Sequence, residues 1–264
     1  MNEYKNFLLL IIKEAGEIAL KYWKNITEVE TFNKGFGNDV VSSADYEIEK
    51  YLRGIIKNRY PKHSIYGEEE GIDQGNNYRW IIDPIDGTVS FLHGQHHWGI
   101  SIALEIDNQI VLGALYCPAY NYLFFAEKGC GATLNNRKIN PSKIQLLSKA
   151  CVCTGFCCIR AKWEENNLPI FNDVITKVQG IRRLGSIATD IAFVACGKLD
   201  ACWEMNVNLY DVAAAILIAK EAGAHVSDMN GGDKYIYSFP FVSNFYIKQP
   251  LLNIFSKHKI PCND

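Results

Sequence analysis

Apolar residues recur at helical spacing near the start of the chain. Phe7, Ile11, Ala15, Ile18 and Tyr22 fall on one stripe, which predicts a long amphipathic helix over residues 3–24. A second helix is predicted over residues 43–59, with Ser43 as its N-cap, Asp45, Glu47 and Glu49 near its start and Pro61 beyond its end. Apolar runs then shorten to strand length. Residues 63–66 and 78–83 read as strands that each deliver acids at their ends, Glu68 and Glu69 after the first and Asp83 at the second. Pro84 lacks a backbone donor and is expected to stop the ladder there, sending the chain out of the sheet. The polar, glycine-rich stretch 71–77 (GIDQGNN) reads as a mobile loop.

Residues 99–107, 109–117 and 122–128 read as an antiparallel meander with turns at Asp107-Asn108 and Pro118-Ala119. A polar crossing over 141–148 is the best candidate boundary, dividing residues 1–147 from 148–264. Beyond it the pattern predicts a strand over 150–155, a helix over 161–178, a short strand near Ile181, a helix over 186–196 and a strand over 201–204. An alanine-rich helix follows over 211–222, with Asp211 at its N-terminus and Gly223 at its stop. This alternation indicates a layered second half.

Composition narrows the class. With 264 residues, 48% of them apolar, the chain can bury a sizeable core as one large α/β domain or two subdomains. A net charge of −2 gives no global field for polyanions, so nucleic-acid binding through a basic face is not expected. Nine cysteines is an odd number, and Cys151, Cys153, Cys157 and Cys158 sit in an apolar setting that suits reduced thiols rather than a disulfide framework or zinc. The apolar run 7–12 meets Lys13 and Glu14 at once, so it reads as neither signal peptide nor membrane span, and a cytoplasmic address is expected.

The candidate chemistry lies in 80–94, WIIDPIDGTVSFLHG. Asp83 and Asp86 can converge at the C-terminal end of a strand, the usual ligand crevice of an open α/β sheet. Gly87 lets the backbone approach a ligand, and Thr88 can open a helix whose free N–H groups favour a phosphate oxygen. Alone, such a string is more often a surface turn. Three other acidic patches accompany it: Asp45 in VVSSAD, Glu68 and Glu69 in YGEEEG, and Asp211 in NLYDVAAA. Gathered without a cation, Glu68, Asp83, Asp86 and Asp211 would repel strongly. His93, His96 and His97 lack the matched acid of a zinc site and read as loop polarity.

These motifs resemble the inositol monophosphatase family, magnesium-dependent and lithium-sensitive phosphomonoesterases. W-x-I-D-P-x-D-G-T-x-N-F-x-H is matched over 80–93 except that Ser90 replaces Asn. W-D-x-A-A-G is matched with Tyr210 for Trp and Ala215 for Gly. G-E-E stands at Gly67, Glu68 and Glu69, K-x(10)-D at Lys34 and Asp45, and R-x-G-S-x-A followed by A-x-G-x-x-D-A over 183–201. The resemblance implies an α/β (α+β) fold, a layered αβαβα sandwich of the sugar-phosphatase type, with the site between two halves, and a homodimer.

It further implies that Glu68, Asp83 and the carbonyl of Ile85 hold a first Mg2+, that Asp83 bridges to a second held with Asp86 and Asp211, and that Glu68 with waters holds a weaker third. Asp45 and Thr88 would activate water, assisted by Glu69, and the N–H groups of Gly87 and Thr88 would take the phosphate. Asp86, Gly185, Ser186, Ile187, Glu204 and Asp211 would contact the substrate. Lys34 would ride a mobile loop that orders when metal binds. Inositol 1-phosphate is the expected substrate. Ser90 resembles the D-G-T-x-S-F of histidinol-phosphatase relatives, and fructose-1,6-bisphosphatase activity or a mainly regulatory protein-binding role are the alternatives.

Overall fold

The structure, a computed structural model, describes residues 1–33, 40–233 and 239–261. Lys34 lies outside them. The chain begins with helix α1 (Asn2–Lys24), a small hairpin of β1 (Thr31–Asn33) and β2 (Val40–Ser42), and helix α2 (Ser43–Arg59). Next come β3 (Ser64–Gly67), β4 (Gly71–Asp73), β5 (Tyr78–Asp86), the short helix α3 (Thr88–Leu92), β6 (Gly99–Ile106), β7 (Gln109–Cys117), β8 (Tyr122–Glu127), β9 (Ala132–Leu134) and β10 (Arg137–Lys138). The remainder is β11 (Cys151–Thr154), α4 (Cys157–Arg160), α5 (Leu168–Ile175), β12 (Gly180–Arg182), α6 (Ile187–Ala195), β13 (Ala201–Trp203), α7 (Leu209–Ala222), β14 (His225–Asp228), β15 (Pro240–Ser243) and α8 (Lys248–Phe255).

Two sheets carry the architecture. The larger runs β10-β9-β8-β7-β6-β5-β3-β4 and is antiparallel except where β3 lies parallel to β5. The smaller runs β12-β11-β13-β15-β14, with β11 parallel to both neighbours. α1 and α2 cover one face of the larger sheet, burying Leu8, Ile11, Ile48 and Leu52 against Trp80, Ile82 and Ile102. α6 and α7 fill the space between the sheets, where Ile191 and Ile218 meet Leu115 and Phe124 on one side and Cys202 and Val242 on the other. α5 and α8 close the outer face of the smaller sheet over Val152, Trp203 and Phe241. Helix, sheet, helix, sheet, helix is the αβαβα sandwich that the motifs implied. Among the described residues, no helix is long and apolar enough to cross a membrane, and Cys117, Cys130, Cys151, Cys153, Cys157, Cys158, Cys196 and Cys202 are free thiols.

Several local expectations change. Pro84 does not end its strand: β5 loses β3 after Ile82, but its pairing with β6 continues from Asp83↔Ser101 to Asp86↔Gly99 through a register shift. The proline falls in a bulge, where no ladder donor is needed. The stretch 71–77 starts with a strand, β4, paired antiparallel to β3. Ser42, not Ser43, caps α2, forming a capping box with Asp45 at the third helical position. α7 likewise starts two residues before Asp211, in a capping box between Asn208 and Asp211. The helix expected over 161–178 shrinks to α5, and α4 ends before it: buried Asn167, the N-cap of α5, turns inward to bond Thr154 Oγ1 and the Gly155 carbonyl, and α5 starts with Pro169 in its first turn.

α7 lies close against the larger sheet because both surfaces are small: Ala213 and Ala214 pack on Ile81 and Ala103. A Cβ on Gly113 would stand 2.8 Å from the Ala214 carbonyl oxygen and 3.0 Å from its Cα. Gly113→Ala is therefore expected to cost about 1–3 kcal/mol, as overpacking does, by lifting α7 and Asp211 off the sheet. Urea unfolding measures this, and an unchanged midpoint would contradict the close approach.

Candidate active site

Side chains alternate along a strand, so Asp83 and Asp86, three apart, would face opposite sides of a regular β5. The bulge adds one residue to β5 against β6: three steps from Asp83 to Asp86 span two from Ser101 to Gly99. Both carboxylates thereby line one cavity of about 230 Å³ at the strand's end. The turn between β3 and β4 brings Glu68 to the same cavity, and the first turn of α7 brings Asp211.

Asp86 and Asp211 are each held by one carboxylate oxygen. Asp86 Oδ2 accepts from Ser186 Oγ and from the backbone N–H of Ala188, both at 2.6 Å, at the N-terminus of α6. Asp211 Oδ2 accepts from the Asn208 N–H at 2.6 Å. Asp83 is 1% exposed, and its Oδ1 is buried with no hydrogen-bond partner among the described residues, an arrangement that costs free energy unless something else fills the gap.

Burial pushes the Asp83 carboxyl well above the usual range, and the negative charges of Glu68, Asp86 and Asp211 push it further. Burial raises Asp86 to about 7, against the lowering effect of its bonds from Ser186 and Ala188. Asp211 is raised first by desolvation and then by Glu68 and Asp86. Among the described residues, no three His, Cys, Asp or Glu side chains are already closed to one metal-ligating point. The acids are nevertheless electrostatically coupled and share one cavity, and an all-oxygen donor set with one orphaned buried oxygen fits a hard divalent cation.

Next to the acids, Gly87 caps α3 at φ 96°. A Cβ there would come within 3.0 Å of the His97 carbonyl and 3.1 Å of the Gly185 carbonyl, so only glycine leaves the backbone open to the cavity. Thr88 Oγ1 lies 3.2 Å from the Ile85 carbonyl oxygen and 3.4 Å from Asp45 Oδ1. Asp45 is fully buried behind it, its Oδ2 bound by Ser42 N at 2.9 Å and Ser42 Oγ at 2.5 Å. On the opposite wall stand Gly185, Ile187 and Glu204. Burial raises the Glu204 carboxyl, while hydrogen bonding from Cys157 and the positive charge of Arg183 pull it back.

The cavity thus gathers Glu68, Asp83, Ile85, Asp86, Gly87, Thr88, Gly185, Ile187, Glu204 and Asp211. Three sequence candidates are elsewhere. Ser186 is 1% exposed and grips Asp86 instead of facing the cavity, Asp45 stands behind Thr88, and Glu69 is fixed through its backbone N–H to Glu49. His97 is not loop polarity: it is buried, with Nε2 2.8 Å from Asp190 Oδ1. Sequence reasoning overlooked Arg160, Arg183, Cys157 and Asn206, which also line the cavity. Arg183 begins the R-x-G-S-x-A string, a usable signal, whereas Arg160 follows a cysteine cluster that matches no motif.

The model of the inositol monophosphatase family matches residues 1–253. The chain is 35% identical over 246 residues to Nus factor SuhB of Vibrio cholerae, covering 92% of each. It is 40% identical over 215 residues to an inositol-1-monophosphatase of Synechocystis, covering 81% of this chain and 74% of that protein. Among solved structures, the extragenic suppressor protein suhB of Bartonella henselae superposes with a TM-score of 0.90 at 33% identity, covering 97% of this chain and 99% of the other.

Proposed function

Since the chain belongs to the inositol monophosphatase family, we propose that it is a magnesium-dependent phosphoric monoester hydrolase that releases phosphate from inositol 1-phosphate by in-line attack of water. The observation that carries this reading is the acid cluster of buried Asp83 and Asp86 with half-buried Asp211 and Glu68 beside them, facing the Gly87 turn across one cavity. A purely structural cluster would be expected to carry lysine or arginine partners in its midst. Here the orphaned Asp83 Oδ1 has none among the described residues.

Glu68, Asp83, Asp86, Asp211 and the Ile85 carbonyl would hold Mg2+, in two or three positions. When bound, it supplies charge neutralisation for the phosphoryl oxygens and a nucleophile available at neutral pH. The remaining work falls to the chain. The backbone N–H groups of Gly87 and Thr88 orient the phosphate at the start of α3. Thr88 Oγ1 takes a proton from the attacking water as its own proton passes to Asp45 Oδ1, and the two bonds from Ser42 keep that carboxylate aimed. Glu69 assists from the neighbouring turn. Glu204, Gly185 and Ile187 receive the leaving group, and the raised Glu204 carboxyl can hydrogen-bond a sugar hydroxyl. Ser186 acts through Asp86.

Arg160 and Arg183 favour a second reading. Two cations flank Glu204 on the leaving-group wall, which suits a substrate with a second anionic group, such as fructose 1,6-bisphosphate. A mainly regulatory role, the reading that the Nus-factor name of one relative invites, would not need four cavity-facing acids.

The test is phosphate release from inositol 1-phosphate, fructose 1,6-bisphosphate and histidinol phosphate, each with Mg2+, with chelator and with added Li+. Release that requires Mg2+ and falls with Li+ is expected, with inositol 1-phosphate preferred. Preference for the bisphosphate would favour the second reading, and chelator-resistant release would overturn both.

A further inference from the structure

We propose that Glu49, with Arg53, is a positioning residue for the metal site: it fixes the turn that carries Glu68 and Glu69 to the helix that carries Asp45. The inference rests on reading Glu68 as a magnesium ligand. Glu49 is fully buried and lines no part of the cavity. Its Oε2 accepts from the Glu69 N–H at 2.8 Å and its Oε1 from the Glu70 N–H at 2.9 Å. Arg53 closes the same carboxylate through Nε at 2.8 Å, then reaches past it to the Gly71 carbonyl at 2.6 Å and to Asp73 Oδ2 at 3.3 Å. The whole turn between β3 and β4 hangs from one face of α2.

Asp45, Glu49 and Arg53 are spaced four apart, so they stack on that face about 6 Å per step along the helix axis. α2 is therefore a rigid spacer between the Thr88–Asp45 pair and the Glu68 carboxylate. Gly67 supports this from the opposite side. A Cβ there would lie 2.2 Å from Glu49 Oε1 and 2.8 Å from Arg53 Nη2, so the turn can be drawn this tightly onto Glu49 only with glycine. Buried ion pairs are poor sources of net stability. Two carboxylate oxygens on consecutive backbone N–H groups next to a ligand are instead a means of orientation, the role that groups supporting metal ligands take.

The test is calorimetric titration of Mg2+ into the full chain, alongside phosphate release at varied Mg2+. Glu49→Gln keeps the volume but presents an amide N–H2 to one of the donors. It is expected to raise the Mg2+ Kd about 10- to 100-fold and the half-activating Mg2+ in parallel, with kcat at saturating Mg2+ within about threefold. Gly67→Ala, which displaces the same carboxylate, should reproduce this split. Ile170→Ala, in the distant outer layer, should lower Tm without moving the Mg2+ Kd. An unchanged Kd in Glu49→Gln or Gly67→Ala, or an equal rise in Ile170→Ala, overturns the proposal. A wild-type chain that binds no Mg2+ would instead defeat the metal reading itself.

Discussion

Asp83→Asn is expected to cut Mg2+-dependent phosphate release by about 10³-fold or more, and at the same time to raise the Tm of the chelator-treated protein. An amide retains the shape but cannot bring negative charge to a cation, and the charge stabilisation forfeited is several kcal/mol; about 1.4 kcal/mol corresponds to each tenfold. Without cation the same carboxylate is a burden, since it is 1% exposed and crowded by Glu68, Asp86 and Asp211. Removing one charge relieves that repulsion. Activity and stability should move in opposite directions, a result that mere misfolding cannot produce. Wild-type turnover in Asp83→Asn, or a lower Tm in chelator, would refute the cation-binding role.

Metal and pH should be linked with an unusual sign. Asp86 sits near 7 in the fold against an ordinary 3.8, and Asp83 and Asp211 are raised as well, burial first and neighbouring acids second. A carboxyl raised on folding contributes stability in full below its unfolded pKa and loses it as pH rises through the folded one. The chelated protein should therefore gain stability as pH falls from about 8 to about 5.5. Mg2+ requires the ionised acids, so its binding should strengthen over the rise that weakens the metal-free form. At a hundredfold excess over Kd each cation adds about 2.7 kcal/mol, several degrees at roughly 2–4 °C per kcal/mol. Thermal melts at the two pH values, with Mg2+ and with chelator, measure both slopes. Equal slopes would mean that the acids do not share a cation.

Much of the fold was legible because its signals are local. The strand Gln109–Cys117 was read to the residue, since Asp107 and Asn108 form the turn before it, both with positive φ. The failures came where a distant partner decides. β4 is only Gly-Ile-Asp, too short for a period, and it hangs from Arg53, eighteen positions before its first residue. Asn167 delays the expected long helix to α5 by bonding the Thr154 hydroxyl thirteen positions back and the Gly155 carbonyl twelve back. Arg160 joins the cavity from a short helix whose surroundings match no motif.

By itself, the amino-acid order determined which acids stand in motifs that resemble a known family, because motif spacing and residue type survive without knowledge of neighbours. It also determined the layered class, because periodicity and turn chemistry are properties of adjacent residues. Only the tertiary structure decided that Asp83 and Asp86 share a face, through one extra residue in β5, and that Asp211 lies over them, through a glycine and two alanines that let α7 approach. Those outcomes depend on pairing register and on packing distance between segments far apart in the chain, quantities that no single segment encodes.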